Sequence, residues 1–194
     1  MTDTHIATPP PSDRIRAASA RTTATRLVTD TPMGPVRIAA SPDALVALDW
    51  CDPADLAPAA QDRVTGSPHP AVTALLDEAE AQLRAYLAGD LMQFDLPLAP
   101  AGTDFRRAVW QSMLDIPYGE TLTYGAIARQ LGSVARAVGG ACGANPIPII
   151  IPCHRVVGGG SSIGGFSARG GVDTKRFLLH LERARMPGET LRLL

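Results

Sequence analysis

Apolar residues recur along this chain with two different periods, and the change of period divides it. Between residues 24 and 50 they come in short runs broken by turn residues. Arg26-Leu-Val and Pro35-Val-Arg-Ile-Ala39 flank the turn Thr31-Pro-Met-Gly34, and Ala44 to Trp50 follows, so strands are expected here. Residues 52–69 are a loop containing Pro and Asp. The spacing then becomes helical: Val72, Leu75, Leu76, Ala79, Leu83, Tyr86 and Leu87 share one face, and Gly89 is its stop. Phe94-Asp-Leu-Pro-Leu98 reads as a short strand or connector.

The second half reads as mostly helical. Thr103 can cap a helix whose inner face is Phe105, Ala108, Val109, Met113 and Ile116, ended by Pro117-Tyr-Gly119. Thr123 can cap a short helix from Tyr124 to Leu131, stopped by Gly132. Ser133 can cap another, Val134 to Cys142, stopped by Gly143. Two short helices on a tight Gly-containing turn make a helix-turn-helix. Ile147-Pro-Ile-Ile-Ile-Pro152 cannot be a regular helix and is apolar enough to be buried. Residues 158–171 form a Gly/Ser loop, and a last helix starts near Asp173 or Thr174 with Phe177, Leu178 and Leu181 inward. The expected organisation is a disordered tail over 1–22, rich in Pro, Thr, Ala and Ser, then two domains. A small α/β N-terminal domain covers 23–95, and a mostly α-helical C-terminal domain containing the helix-turn-helix covers 96–188.

Composition narrows the class. Of 194 residues, 45% are hydrophobic and 19% charged, which is ordinary for a globular protein. No apolar run is long enough to span a membrane, and no secretory-type opening is seen. Three cysteines argue against a disulfide framework and for a reducing compartment, taken as the cytoplasm. The net charge of −1 hides an asymmetry. The chain from Gly102 onward carries a balance of +5 and the part before it −6, which suits a C-terminal half that meets a polyanion.

The candidate chemistry lies at Pro152-Cys-His-Arg155. A thiol is a good nucleophile only as thiolate, and a free cysteine titrates near roughly 8.5, so a neighbouring base is needed. The second half offers His154 and His180; His180 sits off the inner face and is expected to face solvent. Glu182 falls on the edge of the last helix's apolar face, where it can point inward. On these residues alone a lone buried cysteine beside a histidine is more often structural than catalytic.

Ile151-Pro-Cys-His-Arg-Val156 resembles the active-site motif of the O6-alkylguanine-DNA alkyltransferases. Gly102-Thr-Asp-Phe, Ile116-Pro-Tyr-Gly-Glu-Thr121, Tyr124-Gly-Ala-Ile-Ala128, Arg136-Ala-Val-Gly139, Asn145-Pro-Ile147 and Lys175…Leu178-Leu179…Glu182 follow the family's order. The Thr31–Gly34 turn and the Leu83…Tyr86…Gly89 helix end also resemble it, so the likeness covers residues 24–185. It implies direct-reversal DNA repair, in which Cys153 irreversibly accepts the alkyl (methyl) group of O6-alkylguanine once per molecule. It further implies that His154 is a water-mediated base oriented by Glu182, and that this pairing sets Cys153 below the ordinary thiol range. Tyr124 would hydrogen-bond the guanine leaving group, and Asn145 would bridge the helix-turn-helix to the active-site segment. Arg136 would enter the base stack when the damaged nucleotide is flipped out, with Tyr124, Ala135, Ala137 and Gly139 completing the DNA-binding surface. Val156, Ser167 and Phe166 would line the base pocket.

The implied partner is double-stranded DNA carrying O6-alkylguanine, with O4-alkylthymine a further candidate lesion; the protein is expected to be a monomer that needs no cofactor. Cys51 and His69 lack metal-ligand spacing, so no metal is expected. Cys142, Trp110 and Phe105 read as packing residues, Tyr118 as structural, and Arg155 as the partner of a buried carboxylate. The N-terminal half shows no chemistry of its own. Three departures from the family's common pattern bear on details: a shorter turn between Tyr124 and Arg136, a longer segment from Phe166 to Lys175, and Phe166 where Tyr is frequent. Two other classes stay open: a lesion binder that does not repair, disfavoured by the presence of Cys153, and a cysteine hydrolase, disfavoured by the helix-turn-helix.

Overall fold

The computed structural model of the chain describes residues 15, 24–52, 69–160 and 162–185. The tail reading falls outside them apart from Ile15, which bridges Leu98, and most of the 52–69 loop does too. The apolar runs of the N-terminal half form an antiparallel sheet of β1 (Ala24–Val28), β2 (Val36–Ala40) and β3 (Leu45–Trp50), in that order. Gly34 closes the β1–β2 turn at φ +88°, its N–H donating to Thr31 O at 3.0 Å. Helix α1 (Pro70–Ala88) begins on His69, whose ring accepts from Ala71 N, and ends on Gly89 in the left-handed region. It lies across β1 and β2 and buries Val72, Leu76, Ala79, Leu83 and Tyr86. Each such large side chain contributes about 1.5–3 kcal/mol by leaving water. Arg26 reaches from β1 to Asp77 and Glu80 of α1.

The C-terminal half is built of α2 (Asp104–Leu114), β4 (Leu122–Thr123), α3 (Tyr124–Gln130), α4 (Ala135–Gly143), β5 (Val156–Val157) and α5 (Val172–Leu181). Thr103 and Thr123 cap α2 and α3 as expected, each accepting a backbone N–H in the first turn. Helices α3 and α4 pack on each other and α4 on α2. Buried Trp110 of α2 donates its indole N–H to Ala141 O of α4 at 2.9 Å.

Some local expectations need correction. Ser133 does not cap α4: Val134 holds the cap position without a side-chain bond, and Ser133 N–H instead donates to Ala128 O, closing the turn. The helix runs through Gly143 rather than stopping there. Helix α2 ends at Leu114, so Ile116 is buried from the following turn. Phe94–Leu98 is a connector with one bridge to Leu45. Phe105 is only half-buried. The inward face of α5 is rotated: Thr174, Lys175, Leu178 and Leu179 are buried, while Phe177 and Leu181 are half-buried.

The Ile147–Pro152 run is irregular and buried, with Ile151 N–H donating back to Ile147 O at 2.9 Å. Ile149 at its centre has φ +73°, a strained setting for a β-branched residue. The run drives through the core and delivers Cys153 into a single 3₁₀ turn, Cys153–Arg155, before β5 pairs in parallel with β4. Edge strand β3 meets this half directly: Leu48 N–H donates to Pro146 O at 2.8 Å. Arg169 of the Gly/Ser loop donates to Cys51 O just past β3.

Candidate active site

Residues 151 to 157 are all buried, so the Pro-Cys-His-Arg segment is enclosed by apolar side chains. The 3₁₀ turn lets Cys153 and His154 avoid the opposite directions that extended backbone would impose. His154 is wholly buried, and its Nε2 lies 2.8 Å from Glu182 Oε1. Glu182 caps the C-terminus of α5 and is itself buried. Arg155 grips the same carboxylate, Nε to Oε2 at 2.9 Å and Nη2 to Oε1 at 2.9 Å, and Gly119 N–H donates to Oε2 at 3.3 Å. Glu182 is therefore ionised. Burial opposes this, but the hydrogen bond from His154 and the bonds and charge of Arg155 outweigh it and hold its carboxyl at about 2.

A carboxylate that can only accept favours an imidazole with the hydrogen on Nε2 and the lone pair on Nδ1. Nδ1 is buried and finds no protein partner among the described residues. Burial lowers the basicity of His154, the Glu182 hydrogen bond offsets this in part, and the nearby Arg155 and Lys175 charges add to the lowering. Cys153 departs from the expectation that it titrates below the ordinary thiol range. Burial pushes it up, against the opposing Asn145 hydrogen bond and Lys175 charge. The enclosing Ile run favours thiol and imidazole over thiolate and imidazolium, so the pair rests neutral and the proton must move when substrate is present.

Asn145 follows α4 and holds the active-site segment: its amide donates to Ile151 O at 2.8 Å and its carbonyl accepts from Ile147 N at 3.0 Å. Tyr124 opens α3 over the Gly/Ser loop, its hydroxyl 3.4 Å from Gly165 O. A Cβ at Gly164, which has φ +72°, would stand 2.9 Å from the Tyr124 ring, so only glycine lets the loop come this close. Burial raises the Tyr124 phenol to about 12 and keeps it a donor. A cavity of about 770 Å³ reaches Cys153, lined also by Asn145, Cys142, Ser167, Arg169 and, from β3, Trp50. Of the expected pocket residues, Ser167 lines this cavity, with Oγ on Gly143 O at 3.3 Å. Val156 is buried and Phe166 half-buried, and neither lines it.

On the outer side, Ala135 and Arg136 are exposed in the first turn of α4, with Ala137 and Gly139 partly exposed. A Cβ at Gly139 or Gly140 would meet nothing within 4 Å, so these glycines do not serve helix packing in the fold and leave open space on this face. His180 is exposed, His69 caps α1, and Cys142 packs with its sulfur 3.8 Å from that of Met113. Among the described residues no group of three or more His, Cys, Asp or Glu could hold a metal, and no helix is long and apolar enough to cross a membrane.

Two site residues escape the sequence reading. Lys175 is fully buried, donating to Val156 O at 2.6 Å and Gly165 O at 3.1 Å, with Nζ 5.7 Å from the Tyr124 ring centre. Burial lowers it to about 8. The other is Tyr86 of α1, whose hydroxyl donates to Glu182 Oε1 at 2.7 Å. The N-terminal half thus reaches the site through a residue that helical spacing assigns to the core.

Comparison with known proteins accords with this geometry. The family described as "6-O-methylguanine DNA methyltransferase, DNA binding domain" matches residues 104–184, and its "ribonuclease-like domain" matches 26–100. A methylated-DNA–protein-cysteine methyltransferase of Methanosarcina barkeri is 41% identical over 157 residues, covering 80% of this chain and 94% of the relative. The chain belongs to the 6-O-methylguanine DNA methyltransferase family. A relative of the same name from Mycobacterium bovis is 53% identical over 110 residues, 56% of this chain; that stretch spans 66% of the relative. The crystal structure of Mycobacterium tuberculosis OGT in complex with DNA superposes with a TM-score of 0.67 at 42% identity, covering 84% of this chain and 95% of that one. The α/β N-terminal domain and the helical C-terminal domain with its helix-turn-helix are thus the family's two parts.

Proposed function

We propose that this chain is a methylated-DNA–protein-cysteine methyltransferase that repairs DNA by direct reversal. Cys153 takes the alkyl group from O6-alkylguanine in double-stranded DNA, once per molecule. The observation that carries this reading is the buried Cys153 at a cavity wall, with His154 locked by Glu182 behind it and the exposed Arg136 helix in front.

The arrangement supports the following chemistry. The target carbon lies inside a stacked duplex, so the nucleotide must be extruded; Arg136 fills the stack it leaves. The Cys153 thiol proton passes through a water to His154 Nδ1, and the sulfur attacks the alkyl carbon. The S–C bond forms as the C–O6 bond breaks, with the electron pair going to O6. Tyr124 donates a hydrogen bond to the departing guanine, which finally takes the proton that His154 held. The product is a thioether, whose S–C bond neighbouring thiols, hydroxyls and imidazoles do not cleave, so the protein is spent. No cofactor enters this scheme. Ala135, Ala137 and Gly139 give the small-residue surface that approaches DNA, and Ser167 frames the flipped base. O4-alkylthymine is a further candidate lesion. The same reading makes the protein a cytoplasmic monomer with an N-terminal domain over 23–95 and the alkyltransferase domain over 96–188.

The test is to incubate the protein with a duplex carrying O6-methylguanine and digest it. One methyl on the peptide holding Cys153, with no further turnover, is expected, and Cys153→Ser should bind DNA without accepting methyl. Repair of many lesions per molecule, or methyl on another residue, would overturn the reading.

A further inference from the structure

The N-terminal domain reaches the relay through the Tyr86 hydroxyl. Tyr86 is wholly buried at the end of α1, its ring between Phe94 at 5.1 Å and an edge-on Tyr118 at 6.2 Å. A core tyrosine needs only some acceptor for its hydroxyl. This one donates, at 2.7 Å, to Glu182 Oε1, the same oxygen that faces His154 Nε2 at 2.8 Å, and stands 3.3 Å from Nε2 itself. The three groups form a triangle whose only two protons between them are the phenol's and the imidazole's.

We propose that Tyr86 is a positioning residue of the relay: its hydroxyl, committed to Glu182 Oε1, fixes His154 with Nδ1 as the acceptor and tempers the carboxylate's hold on the imidazole. The proposal rests on the reading of His154 as the base for Cys153. If the Tyr86 proton went to Nε2 instead, His154 would carry its hydrogen on Nδ1 and could not accept from the thiol. The phenol is pushed far above its ordinary range by burial and by the Glu182 charge, so it stays a donor at every pH where the protein works. The groups that face this site are few. Glu182 and Lys175 come from the α5 region, Arg155 and Cys153 from the segment of His154 itself, Tyr86 from α1, and Tyr118 from the turn after α2.

Two substitutions therefore pull His154 in opposite directions. Tyr86→Phe keeps the ring and removes one donor from Glu182, so the carboxylate stabilises the imidazolium more strongly and His154 titrates higher. Glu182→Gln removes the carboxylate and leaves Arg155 facing His154, which then titrates lower. A residue that merely fills the core gives no such pair of shifts.

The test uses the full chain. Ring resonances of His154 are followed by NMR against pH in wild type, Tyr86→Phe and Glu182→Gln, with single-turnover methyl transfer from an O6-methylguanine duplex measured over the same range. In wild type the Nε2-H tautomer is expected. In Tyr86→Phe the His154 midpoint and the lower limb of the rate profile should both rise by half a pH unit or more, with affinity for undamaged duplex unchanged. A wild-type Nδ1-H tautomer overturns the proposal even if Tyr86→Phe does not fold. So does a folded Tyr86→Phe protein whose His154 midpoint is unmoved or falls. Absence of methyl transfer by wild type itself would instead sink the repair reading, and the NMR titration reads the Tyr86 effect separately.

Discussion

Glu182 is the residue on which the site turns, because three donors and one backbone N–H converge on its two oxygens. Substituting it separates its two roles. Glu182→Gln keeps the shape but leaves the buried Arg155 guanidinium without its counter-charge, a change that costs about 3–5 kcal/mol when one partner of a buried pair is lost. If His154 takes the Cys153 proton, the variant also stops favouring the imidazolium that forms, so the plateau rate of methyl transfer should fall by roughly tenfold or more. The lower limb of the rate profile should move to lower pH. A folded variant with an unchanged rate profile would remove Glu182 from the relay. Of this residue scale, the sequence reveals the reactive pair and hints at the carboxylate, because all three lie close to one motif or one helix face. It hides Tyr86. Helical spacing assigns a tyrosine on an inner face to the core, and its hydroxyl partner lies 96 positions away. Adjacency of Cys153 to a histidine is visible in sequence, while the burial that raises its thiol is a property of the fold.

At the scale of elements, α3 and α4 pack as a pair that presents Arg136 outward while their inner faces bury Ile127, Ala128, Val138 and Ala141. The helices were legible from periodicity and from Thr103 and Thr123, whose hydroxyls accept the expected N–H groups. The start of α4 was not. A serine beside a helix start looks like a cap, but the turn between α3 and α4 is so short that Ser133 N–H is drawn back to Ala128 O and Val134 takes the cap position. The same short turn sets where Arg136 emerges, in the first turn of α4 on the exposed face. If Arg136 fills the stack left by the flipped nucleotide, Arg136→Ala should slow repair of duplex DNA by tenfold or more. It should leave the reaction with free O6-benzylguanine within a factor of about two, because a free base needs no extrusion. The comparison of the two rates checks this, and equal losses on both substrates would show that another residue does the work.

Over the whole molecule the relay is also a tie between domains, since α1 supplies Tyr86, the active-site turn His154 and Arg155, and the end of α5 Glu182. Its charge states make that tie sensitive to acid. His154 titrates below 6.5 when folded, so below that pH the unfolded chain binds a proton that the folded one refuses, and stability falls. Glu182 drops from 4.5 to about 2 on folding, so its contribution is full above pH 4.5 and is lost as pH falls from there toward 2. That contribution is at most roughly 3 kcal/mol, a large share of the stability of an ordinary domain. The two tryptophans report the two halves separately, Trp50 at the end of β3 and Trp110 in α2. Single-tryptophan variants unfolded in urea should therefore give coincident midpoints at pH 7.5. Both midpoints should fall as the pH drops below 6.5 and again below 4.5, with the second drop missing in Glu182→Gln. Midpoints that stay constant from pH 7.5 to 4 would mean that the buried His154 and Glu182 are not linked to folding as their environment requires. A midpoint at Trp110 that falls while that at Trp50 does not would show that the domains unfold apart, and that the Tyr86 contact is too weak to carry the loss of one domain to the other.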